Sequence, residues 1–156
     1  MIRLILFLFS FFIVGCNANE SFIDPLKPEF ESMSFDVVQK QLIIEQELPN
    51  HVQNLLSQWF NQRVKIDGFD GDMKFIVSNF NQETSSIDDG KRVDVSLSFK
   101  VILNKPSPSQ TKFIEGYISS YGTLTGNFSL NEFDTVIKNT QSDLIVRLSK
   151  DLKSKI

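Results

Sequence analysis

The clearest pattern in the chain lies between Val93 and Leu103. Every odd position there is apolar (Val93, Val95, Leu97, Phe99, Val101, Leu103), and the even ones are Asp94, Ser96, Ser98, Lys100 and Ile102. A period of two predicts a β-strand with one face on a core and the other in water. Met33, Phe35 and Val37 repeat the same period against Ser34 and Asp36, predicting a first strand over 33–40. Leu42, Ile43 and Ile44 either continue that strand or connect onward, and the pattern leaves both open. Residues 72–80 are rich in β-formers and predict a second strand running on towards Glu83. Residues 84–90 carry turn chemistry, with Gly90 suited to a positive φ. Pro106 and Pro108 predict a loop over 104–110, because neither can donate to a ladder. Residues 111–124 then form a fourth strand, with Gly116 and Gly122 as candidates for a bulge or bend.

The period changes to that of a helix in two places. Val52, Leu55, Leu56, Trp59 and Phe60 make an apolar face after Pro49 and Asn50. With Asn50 as N-cap, Gln53 as its partner and Gly68 as terminator, a first helix is expected over about 51–66. Ser129 and Glu132 stand at capping-box spacing, and Phe128 and Phe133 at hydrophobic-staple spacing. Phe133, Val136, Ile137, Thr140, Leu144, Leu148 and Leu152 carry the period onward, so a second helix is expected over about 130–153. The expected order is β-α-β-β-β-α. This is a two-layer α+β domain, with an antiparallel meander and both helices on one face of it.

The first sixteen residues follow a different rule. Arg3 gives a short positive start, 4–14 is an apolar run interrupted only by Ser10, and Gly15 directly precedes Cys16. The run is shorter than the roughly 20 residues a bilayer-spanning helix needs and matches a signal-peptide core of about 7–15. Ile13-Val14-Gly15-Cys16 resembles the lipobox of bacterial lipoprotein precursors. The resemblance implies diacylglycerol transfer to the Cys16 sulfur, cleavage after Gly15 and acylation of the new amino terminus. Asn17, in place of the aspartate that often retains such proteins on the inner membrane, implies the periplasmic face of the outer membrane. The organisation then reads as a signal peptide over 1–15, a lipidated cysteine and flexible tether over 16–32, and a single α+β domain over 33–156. Within the tether, Phe22, Ile23 and Leu26 either dock on the domain or stay loose.

Charge and cysteine usage narrow the classes further. The chain of 156 residues less its first fifteen leaves 141, enough for one core. The formal charge of −3 becomes −4 once Arg3 is removed, which argues against nucleic acid as a partner. Cys16 is the one cysteine, so the fold stands without a disulfide. Eleven of the fifteen phenylalanines follow Cys16 and supply the apolar material instead.

Catalytic chemistry finds little to stand on. His51, the one histidine, falls in the first turn of a helix, where a solvated surface role is expected. Asp67, Asp70 and Asp72 crowd six residues but lack the ligand alternation of a calcium loop, and their glycines suit a turn. Asp88-Asp89-Gly90 is a hairpin turn. No nucleophile elbow, phosphate loop or His/Cys metal spacing is present. No catalytic, cofactor-binding or metal residue is assigned, and no cofactor is expected.

One candidate binding surface remains. Phe113, Tyr117 and Tyr121 recur every four residues and therefore share one face of the fourth strand, with Ile114, Ile118 and Leu124 on the other. The aromatic face either packs on the helices or stands exposed to receive a partner or an acyl chain.

With its lipobox, Trp59 helix followed by Gly68, alternating 93–103 strand and Ser129-capped helix, the chain resembles small envelope lipoproteins of the YajG and LptE types. The resemblance lies in element order and carries over no functional residue beyond Cys16. It implies a non-enzymatic lipoprotein, membrane-anchored through Cys16, with a binding or accessory role in outer-membrane biogenesis. The implied partner is an outer-membrane barrel protein or a lipid-like ligand. The alternative is an auxiliary lipoprotein of an ABC-type lipid or solute transporter.

Overall fold

The computed structural model describes residues 31–106 and 109–156. Cys16, the signal peptide and Phe22, Ile23 and Leu26 of the tether lie outside the described residues. The elements are β1 (Met33–Phe35), β2 (Gln39–Ile44), α1 (Asn50–Arg63), β3 (Val64–Ile66), β4 (Asp72–Ile87), β5 (Gly90–Pro106), β6 (Ser109–Thr125) and α2 (Leu130–Lys153). The expected α+β class, the antiparallel meander (β4-β5-β6) and the two helices on one face of it are all present. Two short strands add detail to the expected order.

The first strand is divided. β1 pairs in parallel with β3 as a two-stranded sheet, while β2 joins the main sheet, of order β2-β4-β5-β6, parallel to β4. Between them the chain crosses over residues 67–71: Gly68 N–H donates to Val37 O, and Val38 N–H to Gly71 O. A Cβ on Gly68 would collide with the backbone of Asp36 and Val37, so Gly68 serves this crossing and does not end the helix. α1 stops earlier, at Arg63, where Val64 turns extended to pair with Met33. Lys40 Nζ of β2 reaches the carbonyls of Phe60, Asn61 and Val64 and lies 4.8 Å from the Phe60 ring centre, placing a cation at the negative end of α1. At the other end the N-cap is Pro49, with no side-chain cap, so the expected Asn50–Gln53 pair does not form.

The hairpins are longer than the pattern predicts. β4 runs to Ile87, and only Asp88 and Asp89 separate it from Gly90. Gly90 does not take a positive φ; it is required because a side chain there would strike the backbone of Leu124. β5 runs to Pro106 and β6 starts at Ser109. The sheet irregularity falls between Ser78 and Asn81, where Asn79 has φ 52°, and not at Gly116 or Gly122. Those two glycines leave room for the Phe99 ring and for Thr140 of α2.

The core lies between sheet and helices. Val93, Val95, Leu97, Phe99 and Val101 of β5 are all buried, as their period predicts. Phe75 of β4 is the hub: its ring meets Trp59 at 5.5 Å, Phe60 at 5.9 Å and Phe99 at 5.8 Å. α2 begins with the expected capping box, and Phe128 stacks on Phe133 at 6.1 Å.

His51 departs from the solvated role expected of it. It is half-buried between the helices, with Nε2 3.3 Å from Ser142 Oγ of α2, and burial lowers its pKa below the usual 6.5. The unfolded chain therefore takes up this proton at a higher pH than the folded one. Stability is complete above about pH 6.5 and falls as the pH drops below it. Thermal unfolding between pH 5 and 8 should show this slope, and His51→Gln should flatten it. An unchanged slope in the variant would assign it to other groups.

Candidate functional site

Helices cover one face of the sheet only, so register decides which side chains of β6 reach water. Leu97 pairs with Ile118, Val95 with Ser120 and Val101 with Ile114, which puts the even-numbered residues of β6 on the core side. Phe113, Tyr117 and Tyr121 consequently stand on the outer face, 59%, 67% and 59% exposed. Of the two arrangements open to the stripe in the sequence, the structure adopts the exposed one. Ile118 is buried and Ile114 packs against the core, as the opposite face should.

Cations from β5 sit over both ends of the stripe. Lys100 Nζ lies 5.0 Å from the Phe113 ring centre and pairs with Glu115 at 2.6 Å. The Arg92 guanidinium lies 4.3 Å over Tyr121 and is held by Asp94 at 2.7 Å. The hydrogen bond from Arg92 keeps the Asp94 carboxylate below its ordinary pKa, and the same bond raises that of Arg92. The Arg92–Asp94 pair therefore remains ionised across the physiological range. The two cations restrain the aromatic rings against the sheet without hiding them.

Tyr117, between these two units, has no cation over its ring among the described residues. Its partner across the ladder is Ser98, and beside that pair lies a shallow depression of about 420 Å³ lined by Ser78, Ser98, Phe99, Lys100, Glu115 and Gly116. Hydroxyls and one ion pair line it, so it offers hydrogen bonds next to the aromatic surface. Asn79 Nδ2 lies 3.5 Å from the Ser98 hydroxyl, and Glu115 is engaged by Lys100.

Two of the three carboxylates crowded between Asp67 and Asp72 have structural partners. Asp67 accepts from Ser34 Oγ at 2.7 Å and Asp72 from Asn104 Nδ2 at 3.2 Å. Among the described residues no cluster of three His, Cys, Asp or Glu is placed to hold a metal. The basic members of the surface, Lys100 and Arg92, were not singled out in the sequence. The signal that reveals them is their place on the even, polar face of the alternating 93–103 strand and just before it.

No protein-family model matches this chain, and no curated protein matches it in sequence. Solved structures do resemble it. A minor lipoprotein from Acinetobacter baumannii aligns over 75% of this chain and 93% of its own at 7% identity, with a TM-score of 0.53. The rare lipoprotein B from Shewanella oneidensis aligns over 76% of this chain and 96% of its own at 16% identity, with a TM-score of 0.44. The chain is thus similar in fold to a solved bacterial lipoprotein.

Proposed function

We propose that this chain is a non-enzymatic lipoprotein of the cell envelope, anchored through acylated Cys16 to the periplasmic face of the outer membrane. It works by binding, as an accessory to outer-membrane biogenesis, with an outer-membrane barrel protein as partner. The observation that carries this reading is the exposed aromatic stripe Phe113, Tyr117 and Tyr121 at the open edge of the sheet. Large aromatic groups are kept in water at a cost of roughly 25 cal/mol per Å², and binding a partner recovers it. The fold likeness to the Acinetobacter lipoprotein and the lipobox spacing before Cys16 support the anchor.

Cys16→Ala should abolish incorporation of labelled palmitate and leave the precursor unprocessed; continued labelling would overturn the anchor. For the partner, photoreactive residues at Ser98, Tyr117 and Ser119 should trap a barrel protein in cells. An inner-membrane transporter subunit, or lipid alone, would replace the barrel reading. Tyr117→Ser combined with Tyr121→Ser should weaken the trapped complex by about tenfold or more, the scale of central aromatic contacts at interfaces. Because both rings face solvent, the melting temperature should change little.

A further inference from the structure

We infer that the crossing loop 67–71 rests on the lipid surface, with the Phe69 ring set among the headgroups of zwitterionic phospholipid. The inference rests on the Cys16 anchor proposed above and is independent of what the aromatic stripe binds.

Phe69 is 100% exposed, more than any ring of the stripe. Cations cover Phe113 and Tyr121, whereas among the described residues neither a cation nor another ring meets Phe69. A large apolar side chain left wholly in water marks a contact surface when its neighbours are apolar too. Val38 and Ile66, at the two feet of the loop, are 49% and 36% exposed.

The exposure is built into the fold. Asp67 N–H donates to Phe35 O at 3.1 Å, Gly68 N–H to Val37 O and Val38 N–H to Gly71 O, the last two at 3.2 Å. Ser34 Oγ adds a bond to Asp67 at 2.7 Å. Gly71 closes the loop at φ 82°, where a side chain would be strained. Both feet are thus tied to the strand that opens the domain, and Phe69 projects between them.

The loop also stands where the chain enters the domain. Glu31 forms an ion pair with Lys153 at the end of α2, and Ser34, three residues on, bonds the loop. Fourteen residues, 17–30, separate this entry from Cys16. Fully extended they reach roughly 50 Å. β4 starts beside the loop and runs sixteen residues away from it, a length of roughly 53 Å. The far turn at Asp88 and Asp89 would need the whole tether to touch the bilayer, whereas the loop needs little of it.

The charges around the loop select the lipid. Asp67 and Asp70 flank Phe69 in sequence, Lys65 precedes them, and the Lys105 backbone lies against Gly71 while its side chain pairs with Asp36. Zwitterionic headgroups answer both signs, ammonium to carboxylate and phosphate to lysine. A strongly anionic surface would repel the carboxylates beside the ring.

The test uses the full-length acylated protein carrying Phe69→Trp, in vesicles of phosphatidylcholine and phosphatidylethanolamine brominated on the acyl chains. Trp59 is fully buried, and wild type supplies its background. The added emission should lose roughly half or more to bromine, because interfacial rings sit about 5–10 Å into the headgroup and acyl boundary. Ile87→Trp, at the far turn, should keep its emission. Equal quenching of the two variants, or none of Phe69→Trp, would overturn the inference. Flotation of the same vesicles separates it from the anchor. Protein that fails to float would overturn both, and protein that floats with Phe69→Trp unquenched would overturn the loop contact alone.

Discussion

Leu97→Asp should leave no folded domain, whereas Ser98→Asp should fold and melt within a few degrees of the wild type. The two residues are neighbours on β5, and only the pleat separates them. Leu97 is fully buried, opposite Ile118, while Ser98 lies on the outer face opposite Tyr117. A carboxylate at position 97 has no cation within the core, so it either ionises at a cost of several kcal/mol or stays protonated with unsatisfied bonds. A small domain has about 5–15 kcal/mol to lose. Far-ultraviolet circular dichroism with a thermal melt distinguishes the pair. Equal behaviour of the two variants would mean the inward face of β5 is wrongly placed.

Phe75→Ala should cost about 3–5 kcal/mol, the usual scale for truncating a buried aromatic residue. Three rings use Phe75 as a common neighbour: Trp59 and Phe60 from α1, and Phe99 from β5. Removing it opens a cavity between helix and sheet that neither side can close alone. Phe75→Leu keeps most of the volume and should cost less than half as much. Urea unfolding measures both, and a Phe75→Ala loss below about 1 kcal/mol would show that the helix layer repacks freely.

What the sequence revealed follows from which contacts are local. The 93–103 strand and the capped α2 were legible because one period and one four-residue motif define them. β3 and the parallel pairing of β2 were not, because a parallel partner lies far along the chain and leaves no mark on the local pattern. The far end of β4 was missed for a related reason. Glu83, Thr84, Ser85 and Ser86 carry no alternation of their own and are held extended by β5.

The candidate site depended on a smaller point. The spacing of Phe113, Tyr117 and Tyr121 was visible, but which face they occupied turned on the parity of the preceding connection. A seven-residue loop over 104–110 leaves parity undetermined. The observed connection, with Pro106 paired to Ser109, fixes odd residues of β5 against even residues of β6 and sends the aromatic rings outward. Pro106 is tolerated there because it belongs to a pair without mutual hydrogen bonds, where its missing N–H has no role.

The parallel seat of β2 beside β4 also orders events in time. Gln39 must find Asp72, with all of α1 and β3 in between, whereas the β4-β5-β6 ladder closes through two tight turns. Short-range pairing is fast and long-range pairing slow. In a chain delivered amino terminus first, residues 33–44 emerge with no strand to join. They remain unmatched until β3 and the start of β4, residues 64–77, have followed, and β4 itself is held only once β5 has arrived, so a long interval of exposure to chaperones and proteases belongs to an early-emerging part of the domain.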